Sequence, residues 1–321
     1  MKNTIVIIVG PTAVGKTEYA IAVAKAIGGE IVSADSMQIY RHLDIGSAKP
    51  TKDEMGSVRH WLVDEIDPAK PFSAAEYQKL AKQHISGIFK RGKVPVISGG
   101  TGLYVNSLIY DMDFTVQPAQ DDLRITLERE AEAHGSVSLH EKLKMLDPDA
   151  AERIHPNNLK KIIRAIEIYH VSGKSAKSFE LSFKPTTDYG IIIVGLTRDR
   201  AELYARINKR ADILFDRGLV EEVRRLLAMG LAESAISMQG IGYKEVARYL
   251  SGQCSLQDAV DIVKQNSRNY AKRQMTWFKR YNDVKWFNLS EYSHEEDALR
   301  EVLEWIEQKS DIITNQTNRT I

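Results

Sequence analysis

An unbroken apolar run, Thr4-Ile-Val-Ile-Ile-Val9, leads straight into Gly10-Pro-Thr-Ala-Val-Gly-Lys-Thr17. Such a run suits a strand buried on both faces of a parallel sheet. Beyond it, Tyr19, Ala20, Val23, Ala24 and Ile27 recur at helical spacing. Strand, glycine loop and helix start, in that order, form a phosphate-binding loop. Glycines let backbone N–H groups curl around phosphate oxygens. The helix start adds a partial positive charge, Lys16 a full one, and Thr17 a hydroxyl suited to Mg²⁺. The expected cradle is Gly10, Thr12, Ala13, Val14, Gly15, Lys16 and Thr17. The loop alone suggests ATP or GTP.

Two further strand ends carry polar residues. Residues 31–34 read as a short second strand, with Asp35 and Ser36 just beyond it, where open α/β sheets place ligand-handling groups. Asp35 is either an acid with a chemical role or a turn residue. Val94-Pro-Val-Ile-Ser98 ends in Gly99-Gly100-Thr101. Many ATP hydrolases hold a metal with an Asp there; here the glycines admit close approach and Thr101 offers a hydroxyl, or simply caps a helix. The segment His60-Trp-Leu-Val-Asp-Glu65 has too short an apolar run for a strand of that metal-holding kind, and is read as a short strand and turn.

With 321 residues, a net charge of +1 and Cys254 as its one cysteine, the chain has no disulfide framework and no cysteine-based zinc finger. No basic leader and no bilayer-length apolar run are visible. A cytoplasmic protein without a membrane partner is expected. Because the charge is nearly balanced, contact with nucleic acid must depend on local basic patches.

The fold class expected is α/β. Strand signals vanish after residue 113 and return with the run Tyr189-Gly-Ile-Ile-Ile-Val-Gly-Leu196. Between them lie helical patterns at 122–133, 138–145 and 159–171. The division expected is a core of 1–113 and 189–310, a helical insertion of 114–188, and a flexible tail of 311–321. In the core, helices are expected over 72–90, 200–215, 220–229 and 256–281, with a last strand at 284–289 and a helix opened by Ser293-x-x-Glu296.

Two segments are basic. Residues 153–177 hold Arg153, Lys160, Lys161, Arg164, Lys174 and Lys177 against one acid, Glu167; no acid lies between Asp261 and Asp283. In the second segment Lys264, Arg268, Lys272 and Lys279 share a helical stripe, while Val263, Tyr270, Trp277 and Tyr281 share another that should pack on the core. A basic stripe is usually a solvated face; two acid-poor segments point toward a phosphate backbone. Arg210 reads either as a surface charge paired with Asp212 or Glu202, or as a second cation on the phosphates. The sequence alone favours the surface pair.

The motifs together resemble the tRNA dimethylallyltransferase, or isopentenyltransferase, family. The resemblance rests on the glycine loop, Ser33-Ala-Asp-Ser-Met-Gln-Ile-Tyr-Arg41, Asp44-Ile-Gly-Ser-Ala-Lys-Pro50, Gly99-Gly-Thr-Gly-Leu-Tyr104, His155-Pro-Asn-Asn158 with Arg164-Ala-Ile-Glu167, Gly240-Ile-Gly-Tyr-Lys244, and Tyr270-Ala-Lys-Arg-Gln274 with Thr276-Trp277. It covers nearly the whole chain and looks like the bacterial form, without the zinc finger of eukaryotic relatives. Val14 stands where the family often has Ser. The resemblance implies a P-loop NTPase-like parallel sheet flanked by helices, with an inserted all-helical domain.

It also implies transfer of a dimethylallyl group from dimethylallyl diphosphate to the N6 amine of the adenosine beside the tRNA anticodon. Asp35 would be the base, with Thr101 and Lys16 assisting. The glycine-loop residues and Arg210 would hold the diphosphate, with Mg²⁺ at Thr17. The tRNA anticodon stem-loop would meet Asp35, Ser36, Met37, Gln38, Thr101, Gly240, Ile241, Gly242, Tyr243 and Lys244, and, on the insertion, Arg124, Lys160, Lys161 and Arg164. The protein would act as a monomer. Two other readings compete: a small-molecule phosphotransferase of the nucleoside- or shikimate-kinase type, and an RNA-binding protein whose nucleotide loop only regulates binding.

Overall fold

A computed structural model describes residues 3–112, 114, 121–173, 175 and 184–309. The expected tail, 311–321, lies outside the described residues, as do Lys174 and Lys177. In chain order the elements are β1 (Thr4–Val9), α1 (Lys16–Ala26), β2 (Gly29–Ser33), α2 (Lys52–Met55), β3 (His60–Trp61), α3 (Ala74–Lys90), β4 (Val94–Ser98) and α4 (Gly102–Ile109). Next come α5 (Asp121–Leu146), α6 (Pro148–Arg153), α7 (Leu159–Ser172), β5 (Gly190–Thr197), α8 (Arg200–Asp216) and α9 (Leu219–Ala228). The chain continues through α10 (Tyr243–Leu250), α11 (Leu256–Phe278), β6 (Val284–Asn288) and α12 (Glu295–Lys309).

All six strands run parallel, in the order β3-β2-β4-β1-β5-β6. β1 is central, and Ile5 to Val9 are each 0% exposed, as expected of a strand covered on both faces. Val6 sits opposite Val96 on one side and Ile192 on the other. One core cluster joins Val6, Ile8, Val23, Val96, Val194, Phe287 and Val302, drawing β1, β4, β5, β6, α1 and α12 together.

Local sequence sets the element ends. Ser73 and Glu76 form a capping box at the start of α3, and Thr51 and Glu54 do so for α2. The short strand expected near residue 60 is β3, two residues long, after which Leu62 and Asp64 adopt positive φ. Asp64 pairs with Lys49 at 2.5 Å. The helices expected at 122–133 and 138–145 run into one another as α5, which is broken at Gly135 with φ 81.

The chain divides into two compact units, Met1–Ile109 with Thr186–Ile321, and Tyr110–Pro185. The first contains the whole sheet. The second is helical, with its own core of Leu127, Leu139, Leu143, Ile162, Ile163 and Ile166. Inside it, Glu167 is 2% exposed and takes Arg124 at 2.8 Å and Arg164 at 3.3 Å. The one acid of the basic segment is thus a buried anchor for two of the arginines expected to meet tRNA.

The strand order depends on tight approaches at glycines. A Cβ on Gly99 would lie 2.2 Å from the Ala34 carbonyl oxygen. Gly99→Ala should lower the free energy of unfolding by roughly 1–3 kcal/mol, the range for overpacking a close contact, read from the urea midpoint of the intact chain.

Candidate functional site

Because β2, β4 and β1 are neighbours, three segments far apart in sequence meet beyond their carboxyl ends. They are Asp35 to Gln38 after β2, Gly99 to Thr101 after β4, and the glycine loop after β1. A cleft of about 710 Å³ runs between them, lined by Thr12, Ala13, Gly15, Lys16, Thr17, Asp35, Gln38 and Gly100, and by Arg206, Arg210, Tyr270 and Gln274 from later helices.

The loop has the backbone its glycines foretold. Gly10 and Gly15 have φ 154 and 113, and Ala13 itself sits at φ 63, a strained value for a residue with a side chain. Two arginines brace it: Arg206 Nε donates to the Ala13 carbonyl at 3.0 Å, and Arg198 Nε to that of Val14 at 3.1 Å. The Val14 side chain is fully buried in the core, so a hydroxyl there is not needed. Lys16 Nζ donates to the carbonyls of Gly10 at 3.0 Å and Pro11 at 2.8 Å.

Arg210 faces the cleft. The acids that could have paired with it are engaged elsewhere, Asp212 by Lys264 at 2.6 Å and Glu202 by Arg198 at 2.6 Å. Burial, then the neighbouring Arg210, lowers the Lys16 ammonium to about 7, while Asp35 and Glu18 oppose that shift. Burial also lowers Arg210, again opposed by Asp35 and Glu18. Two half-buried cations beside Asp35 and Glu18, both shifted toward their neutral forms, constitute a site prepared for an anion.

Asp35 works in two directions. Its Oδ1 accepts the backbone N–H of Met37 at 2.8 Å and of Gln38 at 3.3 Å, which shapes the turn and leaves Oδ2 for a ligand. The Thr101 hydroxyl is not spent on capping α4; its oxygen accepts the Ser36 N–H at 3.0 Å. Met37 packs on Gly240, where a Cβ would lie 2.6 Å from its sulfur.

Several expected tRNA contacts are placed differently. Tyr243 is fully buried, and Gly240 and Gly242 are buried beside it, so of that motif Ile241 and Lys244 reach the surface. Tyr243 serves the structure instead, because its hydroxyl donates to Glu222 at 2.8 Å and accepts the Ser47 N–H at 3.0 Å. Lys160 and Lys161 are exposed on α7. The basic stripe of α11 is partly internal, since Lys264 pairs with Asp212 and Arg268 donates to Asn208 at 2.6 Å. Tyr270, assigned to the core by its spacing, lines the cleft instead. Its hydroxyl is pushed up to about 12, first by burial and then by Asp35, so it stays protonated.

Sequence reasoning missed Glu222, Gln274 and Arg206. Glu222, 1% exposed, accepts three successive backbone N–H groups, those of Asp44, Ile45 and Gly46, at 3.1, 2.7 and 3.0 Å. It holds the loop whose residues Asp44, Ile45, Ala48 and Lys49 line the cleft. The acid lies in the first turn of α9, where an acidic residue is ordinary, and no local pattern marks it.

The family described as IPP transferase matches residues 38–281. A tRNA dimethylallyltransferase of Alkaliphilus oremlandii is 51% identical over 303 residues, 94% of this chain and 97% of its own length. That of Clostridioides difficile is 50% identical, over 95% of this chain and 98% of its own. The crystal structure of the full-length tRNA isopentenylpyrophosphate transferase of Bacillus halodurans is similar with a TM-score of 0.73 and 40% identity, covering both chains completely. A eukaryotic dimethylallyltransferase shares the fold, with a TM-score of 0.78 at 23% identity over 95% of this chain and 80% of that one.

Two outcomes check this geometry. An anion seated on Lys16 favours its charged form, so the bound pKa lies above 7 and binding takes up a proton above that pH. Affinity for inorganic diphosphate should therefore fall as pH rises from 7 toward the bound value. Calorimetry at pH 8 in buffers of different ionisation heat should show a greater proton uptake for the wild type than for Lys16→Met, the ligand's own titration being common to both. Separately, Glu222→Ala should cost about 2–3 kcal/mol, as expected when donors lose a buried charged acceptor, measured by urea unfolding.

Proposed function

The chain belongs to the IPP transferase family, and from that premise we propose that it transfers a dimethylallyl group from dimethylallyl diphosphate to the N6 amine of the adenosine 3′-adjacent to the anticodon of tRNA, releasing diphosphate. The observation that carries this reading is the cleft whose lining brings the half-buried cations Lys16 and Arg210 to the carboxylate of Asp35.

The reaction makes two demands. An adenine amine is a weak nucleophile because its lone pair is delocalised into the ring. As nitrogen bonds to the prenyl carbon and the carbon–oxygen bond to diphosphate breaks, a base must take the amine proton. Asp35 Oδ2 is that base, and Thr101 and the protonated Tyr270 hydroxyl hold the amine in place. The departing diphosphate gathers negative charge, which Lys16, Arg210 and the amides of the loop stabilise. The adenine leaves its stack to reach this cleft, as base-modifying enzymes require.

Magnesium fits the donor set as a ligand-borne ion. Among the described residues no three His, Cys, Asp or Glu side chains are grouped to hold a metal, and Mg²⁺ commonly keeps water and phosphate oxygens as most of its shell. Thr17, in the first turn of α1, would supply the protein's oxygen. Bound there, the ion adds positive charge opposite the leaving group.

ATP- and GTP-hydrolysing P-loop enzymes hold their metal with an acid at the end of a further strand. The nearest sequence match, Asp64, is committed to Lys49, and β4 ends in Ser98, which favours the transferase. We assign the anticodon stem-loop to the helical unit, with Lys160 and Lys161 as phosphate contacts, and to Ile241, Lys244 and the Ser36–Gln38 turn. Arg124 and Arg164 are engaged by Glu167, so their part is to shape the surface that carries Lys160 and Lys161. Among the described residues no helix is long and apolar enough to cross a membrane; the enzyme acts as a cytoplasmic monomer.

Incubation with unmodified tRNA, Mg²⁺ and dimethylallyl diphosphate should add a five-carbon unit to adenosine, seen by nucleoside mass spectrometry. Turnover of ATP on a small acceptor, with no such gain, would refute the proposal. Asp35→Asn keeps the acceptor for Met37 and Gln38 but not the basicity. It should lower kcat by about 10²–10⁴-fold while tRNA affinity is retained; an unchanged kcat removes Asp35 from the mechanism.

A further inference from the structure

Among the described residues, Gln274 joins two walls of the cleft, the glycine loop and the turn after β4, that no backbone hydrogen bond connects. It lies on α11, is 5% exposed, and uses both ends of its amide. Its Oε1 accepts the Thr12 N–H of the glycine loop at 2.8 Å. Its Nε2 donates to the Gly100 carbonyl at 3.0 Å. At neutral charge and without titrating, an amide supplies one acceptor and one donor on a single short side chain.

The turn after β4 is built to receive this helix. A Cβ on Gly100 would lie 2.1 Å from Gln274 Nε2, and one on Gly102 would lie 2.4 Å from the Trp277 ring. Trp277 Nε1 in turn donates to Asn106 of α4 at 3.0 Å. Tyr270, one turn before Gln274, donates to the same Gly100 carbonyl at 3.3 Å. The turn continues the linkage toward the base: the Thr101 N–H donates to Ala34 at 3.0 Å, and the Thr101 hydroxyl accepts Ser36 beside Asp35. A path of hydrogen bonds therefore runs from the loop at Thr12 through Gln274, Gly100 and Thr101 to the residues that flank Asp35.

We propose that Gln274 is a positioning residue: it fixes the separation between the loop that holds the leaving group and the wall that carries the base. This rests on the prenyl-transfer reading of the cleft. Transfer requires nucleophile, base and leaving group at one spacing, and a displacement of about 1 Å costs on the order of 10²-fold in rate. Gln274 touches neither reacting atom. It sets where the two walls stand.

Hydrogen exchange on the full chain tests the linkage without any turnover. Inorganic diphosphate should slow exchange in residues 12–17 of the wild type and also in 99–104. In Gln274→Met, which keeps length and volume, slowing should stop at the loop. If it still spreads to 99–104, the proposal is overturned, whatever reaction the cleft performs.

In the tRNA assay Gln274→Met should lose about 10²-fold in kcat with KM for either substrate little changed. Parallel loss of diphosphate affinity, tRNA affinity and melting temperature would mark a merely structural role and overturn the proposal. Gln274→Glu supplies a pH signature. Protonated, its carboxyl offers the same acceptor and donor; ionised, it repels the Gly100 carbonyl. Its kcat relative to wild type should rise as pH falls, and a constant ratio would count against Gln274. Absence of product from the wild type would refute the prenyl-transfer reading, while the exchange result still decides the linkage.

Discussion

The pairing of β1 between β4 and β5 is the constraint on which the cleft depends. Parallel neighbours must put their carboxyl ends on one edge, and crossover helices then carry the chain back across a face. With β2 beyond β4, the order places the glycine loop, the Gly99–Thr101 turn and the Asp35 turn side by side. On the other flank, β5 delivers α8, which brings Arg206 to the loop's carbonyls and Arg210 to its open side. No inserted element is needed to gather these groups. The sheet does it, and glycines at 99 and 100 let the neighbouring backbone and α11 come close enough to matter.

Charge in this molecule is handled by two opposite rules. Away from the cleft, buried charges are neutralised. Burial alone would raise the Glu30 carboxyl, but Arg91, Trp61 and Lys93 hold it down at about 2. Glu167 has Arg124 and Arg164; Glu222 has three amides and a tyrosine hydroxyl. In the cleft the opposite holds. Lys16 and Arg210 are desolvated together and oppose each other's charge, with Asp35 and Glu18 as partial compensation. Such an arrangement costs stability in the empty protein and is relieved by an anion. A prenyl diphosphate has the charge to do so, and its departure as diphosphate uses the same cations when charge is greatest. On the proposed reading, the loop holds a leaving group where other phosphate loops hold a phosphoryl donor.

Much of this was legible in the residues. The run into Gly10, the helical patterns after residue 113 and the return of a strand near 190 are local patterns with local causes, and the structure has each of them. Even Asp35 and Thr101 could be singled out, because the end of a parallel strand is where such sheets do chemistry. Sequence and structure part where a side chain's direction depends on a distant partner. Tyr243 sits in a motif with exposed neighbours, yet Glu222 and Ser47 draw it inside. Tyr270 shares a helical face with core residues but meets the cleft, because α11 crosses the turn after β4 there. Lys264 and Arg268 look like a free basic stripe until α8 supplies Asp212 and Asn208.

The sequence by itself determined the fold class, the phosphate loop, the family and the acid to which the base's role is assigned, since hydrophobic period, turn chemistry and short motifs act over a few residues. Only the tertiary structure decided which way Arg210 turns, what Glu222 holds and that Gln274 spans the cleft. Those outcomes depend on pairs such as Gln274 and Thr12, 262 positions apart. Strand order and helix packing set such distances, and no property of either residue's own neighbourhood encodes them.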